Sequence, residues 1–238
     1  MTGWAARRFW KEAVVAEHAD GVTVRLDERP VKTPAKADLV VPSFALARAI
    51  AEEWNAQDGE VRPQDMPMTR AANAAIDKVR PQHAEVAALI AEYGDADLIC
   101  YRADTPDTLV ARQSAAWDPL LDWINQRFGI RLKTVTGVMH VGQDSADLEK
   151  LSGAVHDMDE YTLTAFHDLV GLSGSLAIGF AALDRWRSAA ELWRLSRVDE
   201  IWQQELWGED EEAITTAAFK EREFNDAIRF HELSKSHD

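Results

Sequence analysis

The sequence predicts an α+β fold in which a small β-rich N-terminal domain of antiparallel hairpins precedes a larger, mostly α-helical domain. Apolar residues alternate with polar ones up to about residue 41, which is the period of a half-buried strand. After Pro42 they recur every three to four residues, which is the period of an amphipathic helix. No repeat or low-complexity linker separates the two patterns. We place the boundary near residue 60, so that residues 1–60 form the β-rich domain and residues 61–238 form the helical domain.

Short strands joined by tight turns are predicted in the N-terminal domain. Val22, Val24 and Leu26 share one face of a strand, while Thr23 and Arg25 take the other face. Turns are predicted at 20–21 and 27–30, and further short strands at 31–33 and 39–41. The expected result is a meander of hairpins.

Residues typical of helix ends flank several periodic segments. Ser43 is predicted to be an N-cap, Gly94 is predicted to terminate a helix, and Ser188 forms a capping box with Glu191. The apolar positions predicted to face a core on these and the next helices are 47, 50, 51 and 54, then 86, 89, 90 and 93, then 148, 151, 155 and 158.

The middle and the end of the chain are predicted to be mixed and then purely helical. Asp118-Pro119 is expected to start a helix that Gly129 ends. Short strands are predicted at 98–103 and 131–141, and only helices from Ser145 onward, with a buried helix-turn-helix at 169–183 and a last helix at about 210–233.

The charge restricts the classes of partner. Forty-one Asp and Glu residues against 26 Lys and Arg give a formal net charge of −15. This charge repels nucleic-acid phosphates and anionic lipid surfaces, and it favours a neutral or basic partner. The longest weakly polar stretch, 169–183, is too short to span a bilayer, so we expect no membrane insertion.

Cys100 is the single cysteine, which excludes an intramolecular disulfide and a cysteine-rich zinc site. Leu98 and Ile99 beside it favour a buried thiol over a nucleophile. The residues from Met1 to Lys11 contain no apolar run of signal-peptide length, so a cytoplasmic location is expected.

Motifs for catalysis or cofactor binding are largely missing. The glycine-rich stretch Gly171–Ser175 lacks the lysine of a phosphate-binding loop, so neither a nucleotide nor another cofactor is expected. One alternative stays open: His156, Glu160 and His167 would share one face of a continuous helix and could serve a metal-dependent hydrolase. The competing interpretation makes them exposed polar residues, with a turn near Asp159 that interrupts the helix.

Tryptophans and carboxylates are concentrated near the end of the chain. Trp193 and Trp207 fall off or at the end of an apolar stripe formed by Leu192, Leu195, Trp202 and Leu206, which makes them candidates for a partner-binding surface. Packing in the core is an equally open interpretation for either tryptophan alone. Carboxylates accompany them at positions 199, 200, 205, 209, 210, 211 and 212. Two explanations remain open for these carboxylates, namely a solvated face that stabilises the start of the last helix, or an acidic docking patch.

Several stretches in one order resemble a known family, the assembly chaperones of the F1 sector of ATP synthase, and among them the one that binds the α subunit. The matching stretches are RFWK (8–11), LDERPVKTP (26–34), AIAEEW (49–54) with Gln57, MPMT (66–69), AID (75–77), DLICYRA (97–103), WDPLL (117–121) and WG (207–208).

The resemblance implies a function without turnover: holding new α subunits of F1 soluble until they pair with β, independently of ATP. It implies a cytoplasmic location for a bacterial member and the mitochondrial matrix for eukaryotic relatives. It also implies that late acidic residues matter for binding α, which by position points to Glu200 and Glu211 together with Trp207 and Gly208. A generic acidic scaffold that binds many partners is a further alternative.

Overall fold

The computed structural model describes residues 7–208 and 210–236. It confirms the predicted α+β fold class. The chain divides into two compact units. The first contains the residues up to Gln82 together with Asp159–Ala165 and the residues from Arg229 onward, and the second contains His83–Met158 and Phe166–Ile228. The first unit therefore runs beyond residue 60 and takes in two later segments.

A four-stranded antiparallel sheet lies in the first unit. Its strands are β1 Ala13–His18, β2 Gly21–Leu26, β3 Arg29–Pro30 and β4 Val40–Val41. β1 pairs with β2 over its whole length, from Ala13 opposite Leu26 to His18 opposite Gly21, and β3 and β4 each pair with β2. The predicted apolar face of β2 is buried.

The strand predicted at 31–33 is wrong in extent, because only one bridge forms there, between Lys32 and Asp38. A tight turn lies between them: Lys36 has a left-handed φ of 73°, and its N–H donates to the carbonyl of Thr33 at 2.9 Å. Pro34 has no N–H with which to extend the ladder. The strand predicted at 39–41 is present as β4.

Helix α1, Phe44–Asn55, covers the sheet. Ser43 caps it as predicted, since its side chain accepts a hydrogen bond from the amide of Leu46. Leu46 and Ile50 are fully buried in the same core as β1 and β2.

The chain beyond residue 60 is tied to α1 by a half-buried carboxylate. Glu53 accepts hydrogen bonds from the amides of Met68 at 2.7 Å and Thr69 at 2.8 Å, at the start of helix α2, Pro67–Ala74. These amides have no partner within their own helix, so Glu53 satisfies them. The core of the first unit is therefore shared by the sheet, α1 and α2.

The second unit is mainly helical. Its elements are α3 His83–Ala91, α4 Asp107–Phe128, α5 Ser145–His156, the larger part of α6 Glu160–Ser173, α7 Leu176–Leu183, α8 Ala189–Leu195, α9 Val198–Trp207 and most of α10 Glu211–Ser234, with the short parallel strands β5 Tyr101–Arg102 and β6 Val135–Thr136. Phe180 packs against Phe128 and Phe166, with ring centroids 4.7 Å apart in both pairs. Among the described helices, none combines the length and the apolarity that crossing a bilayer requires.

The predicted start of a helix at Asp118-Pro119 is wrong, because α4 begins at Asp107 and Pro119 lies inside it. Proline costs the helix one backbone hydrogen bond. Tertiary contacts hold this turn in place: Trp117 is buried and its indole N–H donates to the carbonyl of Leu195 at 2.8 Å. The predicted end is confirmed, since Gly129 is the left-handed C-cap with φ 64°.

The strands predicted at 98–103 and 131–141 are shorter than expected. Leu98–Cys100 is a 3₁₀ turn capped by Asp97, and only the two-residue strands β5 and β6 form. Cys100 is buried as predicted, and burial raises the pKa of its thiol to about 12.

Gly94 follows α3 but does not act as a left-handed helix terminator. A Cβ atom there would lie 3.3–3.4 Å from side-chain atoms of Leu176, Leu148 and Leu151, so the small size of glycine fits a closely packed position. The buried face of α3 contains Ala87 and Ile90, whereas Leu89, predicted to be buried, is 57% exposed.

The late helices follow the prediction closely. The buried helix-turn-helix is formed by α6 and α7, and Ser188 and Glu191 form the capping box of α8. Within the described residues, the chain from Ser145 onward contains helices and their connections and no strand.

Candidate protein-docking surface

Helix α9 and the first half of α10 are joined by a short connection at Gly208. Gly208 has φ 89°, a conformation that favours glycine, and its N–H caps α9 by donating to the carbonyl of Gln204 at 2.9 Å. The carboxylate of Asp210 accepts a hydrogen bond from the amide of Ala213 at 2.8 Å and so caps α10. We call residues 198–208 and 210–220 the acidic hairpin; Glu209 lies outside the described residues.

Large apolar side chains are exposed on the acidic hairpin. Trp207 is 77% exposed and Leu206 is 54% exposed, and Ile214 and Phe219 on α10 are exposed as well. From Glu211 to Lys220 every residue is exposed except Ala217, which is half-buried. This apolar surface is left uncovered by the second unit itself, which is typical of a site that binds another protein.

The carboxylates of the acidic hairpin fall into two groups. Asp199 accepts a hydrogen bond from Gln113 Nε2 at 2.7 Å, and Glu205 forms an ion pair with Arg112 at 2.7 Å. The hydrogen bond from Arg112 lowers the pKa of Glu205. Glu211 and Glu212, by contrast, are exposed in the first turn of α10, where the helix dipole stabilises negative charge. Asp199 and Glu205 are thus held by contacts within the chain. Glu211 and Glu212 fit the explanation in which carboxylates stabilise the start of the last helix.

The residues assigned to binding by resemblance lie in one part of the second unit. Trp207, Gly208 and Glu211 belong to the end of α9, the connection and the start of α10. Glu200 lies seven residues before Trp207 on α9, so both project from the same face of the helix. Glu200 also forms an ion pair with Arg197, with 2.8 Å between Nη1 and Oε1.

A crevice lies beside the acidic hairpin. It has a volume of about 380 Å³ and is lined by Arg197, Asp210, Glu212, Ala213, Thr216, Ala217 and Lys220. Its lining carries both signs of charge and includes small side chains of α10. The same helix buries Phe224 and Ala227 farther along the chain. The crevice is therefore lined by the N-terminal part of a helix whose later part is buried.

Trp193 is not part of an exposed surface, so of its two interpretations core packing holds and surface binding is wrong. It is only 5% exposed and packs against Phe224 with ring centroids 5.6 Å apart. The guanidinium carbon of Arg197 lies over the indole ring of Trp193, 5.8 Å from the ring centroid. Trp193 lies off the apolar stripe of its own helix because it packs against α10. The periodicity of one helix does not show which other helix packs against it.

The alternative metal site does not assemble. α5 ends at His156, and the carboxylate of Asp159 accepts hydrogen bonds from the amides of Tyr161 and Thr162 at the start of α6, so the continuous helical face is interrupted. Glu160 is paired with Arg80 at 2.8 Å, and His167 with Asp168 at 3.0 Å. Over residues 7–208 and 210–236, no three histidine, cysteine or carboxylate side chains come together as a metal site.

Some exposed apolar residues were missed by sequence reasoning. Leu206 was assigned to a buried stripe with Trp202, and Ile214 and Phe219 received no assignment. Ile214 and Phe219 alternate with carboxylates at 211, 212 and 221, so this segment has no wide apolar face to bury. This pattern could have indicated that the two residues are exposed.

Known proteins are similar to this chain in sequence and in fold. Residues 7–125 match the family described as ATP12 chaperone protein. The protein atp12, mitochondrial, of Schizosaccharomyces pombe is 24% identical over 246 residues, which cover 98% of this chain and 84% of the yeast protein. The crystal structure of Atp12 from Paracoccus denitrificans is 46% identical with a TM-score of 0.94, covering 97% of this chain and 99% of that chain.

A third relative is a candidate chaperone from Agrobacterium tumefaciens, whose crystal structure is 38% identical with a TM-score of 0.91 and covers 95% of this chain and 85% of that chain. These likenesses extend over both compact units and well beyond the segment that the family match spans. The chain belongs to the ATP12 chaperone family, and its resemblance to the assembly chaperones of F1 ATP synthase is confirmed.

Proposed function

We propose that this chain binds the unassembled α subunit of F1 ATP synthase and keeps it soluble until it pairs with β, without nucleotide and without catalysis. The observation that carries the proposal is the exposure of Trp207 on the acidic hairpin. Subunits of a ring-shaped hexamer have surfaces that become buried only on assembly, and such surfaces aggregate when they are left uncovered. A chaperone that covers them needs an exposed apolar anchor of its own.

In this mechanism Trp207 is the apolar anchor, because a tryptophan buries a large area with few rotatable bonds. Glu200 and Glu211 pair with basic or amide groups of the α subunit and orient the contact. A Cβ atom on Gly208 would meet nothing within 4 Å in this chain, so the backbone at the tip of the hairpin is open to a partner.

Release follows from competition. The affinity of the chaperone for α has to be lower than that of β for the same surface, so that β displaces the chaperone without an energy source. A single apolar anchor with exposed carboxylates suits this need, since exposed ion pairs contribute little free energy but raise the rate and selectivity of association.

The location of the chain in the cell is also a proposal. The yeast relative is named as mitochondrial. For this chain we propose the cytoplasm, where a free buried thiol such as that of Cys100 stays reduced.

Charge reversal on the acidic hairpin tests the proposal. We expect Glu200→Lys and Glu211→Lys each to lower the capture of separately expressed α subunit about tenfold, because each replaces an attractive charge by a repulsive one. Glu17→Lys, an exposed position on β1, is the matched control and should capture α like the wild-type chain. Binding is measured by co-purification and thermal stability by circular dichroism.

Two results would contradict the assignment. If Glu200→Lys unfolds the chain, the residue is structural and its proposed role is wrong. If both hairpin variants are folded and capture α as well as Glu17→Lys does, the acidic hairpin is not the binding surface.

A further inference from the structure

A loop in the second unit presents two apolar side chains to solvent. Val138 is 92% exposed, more than any other large apolar side chain in the described residues, and the neighbouring Met139 is 77% exposed. Neither residue belongs to the acidic hairpin. At Gly137, φ is 85°, so a glycine is needed where the chain turns outward after β6.

The base of this loop is held by hydrogen bonds on both sides of the tip. Before the tip, the amide of Gly137 donates to the carbonyl of Arg102 at 2.8 Å. After the tip, His140 bonds to Tyr101 Oη at 3.1 Å through Nδ1 and to Asp95 Oδ2 at 3.2 Å through Nε2.

Gln143 closes the base of the loop. Its amide donates to Asp95 Oδ1 at 2.7 Å, and its side chain exchanges hydrogen bonds with the backbone of Lys133 at 2.7 and 3.0 Å. The exposed tip is therefore carried on an ordered base. An apolar group presented this way loses little conformational entropy on binding.

A groove between α3 and α5 adjoins the base of the loop. Its volume is about 500 Å³, its apolar lining is Ala88, Ala91 and Leu148, and its polar lining is Glu92, Asp95 and Ser152. Asp95 belongs to both features, because it lines the groove and holds the loop through His140 and Gln143. The base of the loop and the groove therefore meet at Asp95.

We propose that this surface, Val138 and Met139 together with the groove between α3 and α5, is a second docking surface that binds an amphipathic helix of the client subunit with basic residues along one edge. The inference rests on the proposed function, since it assigns a second contact to the same client. The small side chains of Ala88 and Ala91 let a third helix approach α3 and α5 closely. The carboxylates Glu92 and Asp95 at the rim are complementary to basic residues.

A second copy of this chain is the less suitable occupant. The chain carries a net charge of −15, and a symmetric contact would bring the rims containing Glu92 and Asp95 of two copies toward each other. Met139 suits a client helix because its flexible, polarisable side chain adapts to different apolar partners. Two separated contacts on one client also raise the total affinity through effective concentration, while each contact alone stays weak enough to exchange.

The test compares binding of the purified α subunit to four full-length chains by surface plasmon resonance. The double variant Val138→Ser with Met139→Ser should weaken binding about tenfold or more, because both apolar anchors are lost. Glu92→Lys should weaken binding several-fold through charge reversal at the rim. Val14→Ser, an exposed apolar position on β1 outside both surfaces, is the matched control and should bind like the wild-type chain.

The outcomes separate this inference from the proposed function. If the wild-type chain fails to bind α, the proposed function fails. If the wild-type chain binds α and the double variant binds equally well while folded, only the second docking surface is wrong. A wild-type dimer in sedimentation velocity that the double variant abolishes would also overturn the inference, since the occupant would then be a second copy. Circular dichroism establishes that each variant is folded.

Discussion

Gly179 lies where α7 packs against α6 without room for a side chain. A Cβ atom at this position would be 2.7 Å from Cγ2 of Val170 and 2.8 Å from Cε2 of Phe166, both of which are buried. Gly179→Ala should lower the free energy of unfolding by about 1–3 kcal/mol, because overpacking forces buried side chains to shift. Urea denaturation followed by circular dichroism measures the change.

Gly171 supplies the matched control for that substitution. It lies in α6 with an ordinary helical backbone, and a Cβ atom there would meet nothing within 4 Å. Gly171→Ala should therefore raise the free energy of unfolding by about 0.5–1 kcal/mol through reduced backbone entropy in the unfolded chain. If the two substitutions change the free energy of unfolding equally, the close approach of Gly179 to Val170 and Phe166 does not limit packing.

Asp97 is a fully buried carboxyl group that connects two segments of the second unit. It accepts hydrogen bonds from the amides of Ile99 at 3.2 Å and Ala177 at 3.0 Å. Burial disfavours its charged form and raises its pKa to about 6, although these hydrogen bonds act in the opposite direction. In the unfolded chain the pKa of this carboxyl group is about 3.9.

The raised pKa of Asp97 predicts a pH dependence of stability. The folded chain binds this proton more tightly, so the contribution is fully present below about pH 4 and is lost as the pH rises through about 6. The difference in free energy of unfolding between the wild-type chain and Asp97→Asn should fall by roughly 2 kcal/mol between pH 4 and pH 7. A difference that is constant across this range, in denaturant titrations, would contradict the raised pKa.

Among the tryptophans of α8 and α9, Trp193 and Trp207 have opposite expected behaviour. Trp193 on α8 is buried against Phe224, so Trp193→Ala should cost about 3–5 kcal/mol of stability. Trp207 at the end of α9 is exposed, so Trp207→Ala should change stability by less than about 0.5 kcal/mol. Only the second substitution should weaken capture of α without unfolding the chain. An unfolded Trp207→Ala chain would show that this ring has a structural role.

Element types were largely predictable from periodicity and end signals, whereas boundaries set by other elements were not. Ser43, Gly129 and the capping box of Ser188 act locally, so their roles could be predicted from neighbouring residues. The local rule for proline predicts a helix start at Pro119. The buried Trp117 next to it, held by Leu195, retains the helical turn, and no local pattern contains that contact.

The candidate site shows the same division. Nearby sequence indicated an acidic, tryptophan-containing region, which the structure forms as α9, Gly208 and the start of α10. The sequence could not separate Trp193 from Trp207, because burial of Trp193 depends on Phe224 about thirty residues later. Val138 and Met139 were assigned to a strand, since an exposed apolar loop tip has the same composition as a short buried strand.

At the scale of the whole molecule, the net charge of −15 predicts salt-sensitive association. Raising the NaCl concentration from about 50 to 500 mM should lower the association rate with α several-fold, because screening shortens the range of the attraction. The dissociation rate should change less, since apolar anchors such as Trp207 are insensitive to salt. Stopped-flow measurement of the indole fluorescence follows both rates. An association rate that does not depend on salt would contradict electrostatic steering.

The measurement that tests the central claim most directly is co-purification of the tagged chain with α and β subunits of the same F1 enzyme, each expressed separately and without added ATP. We expect the chain to capture α, to increase the soluble fraction of α, and to release it when β is added. Capture of β as efficiently as α, or failure to hold α when α is present and unassembled, would contradict the claim.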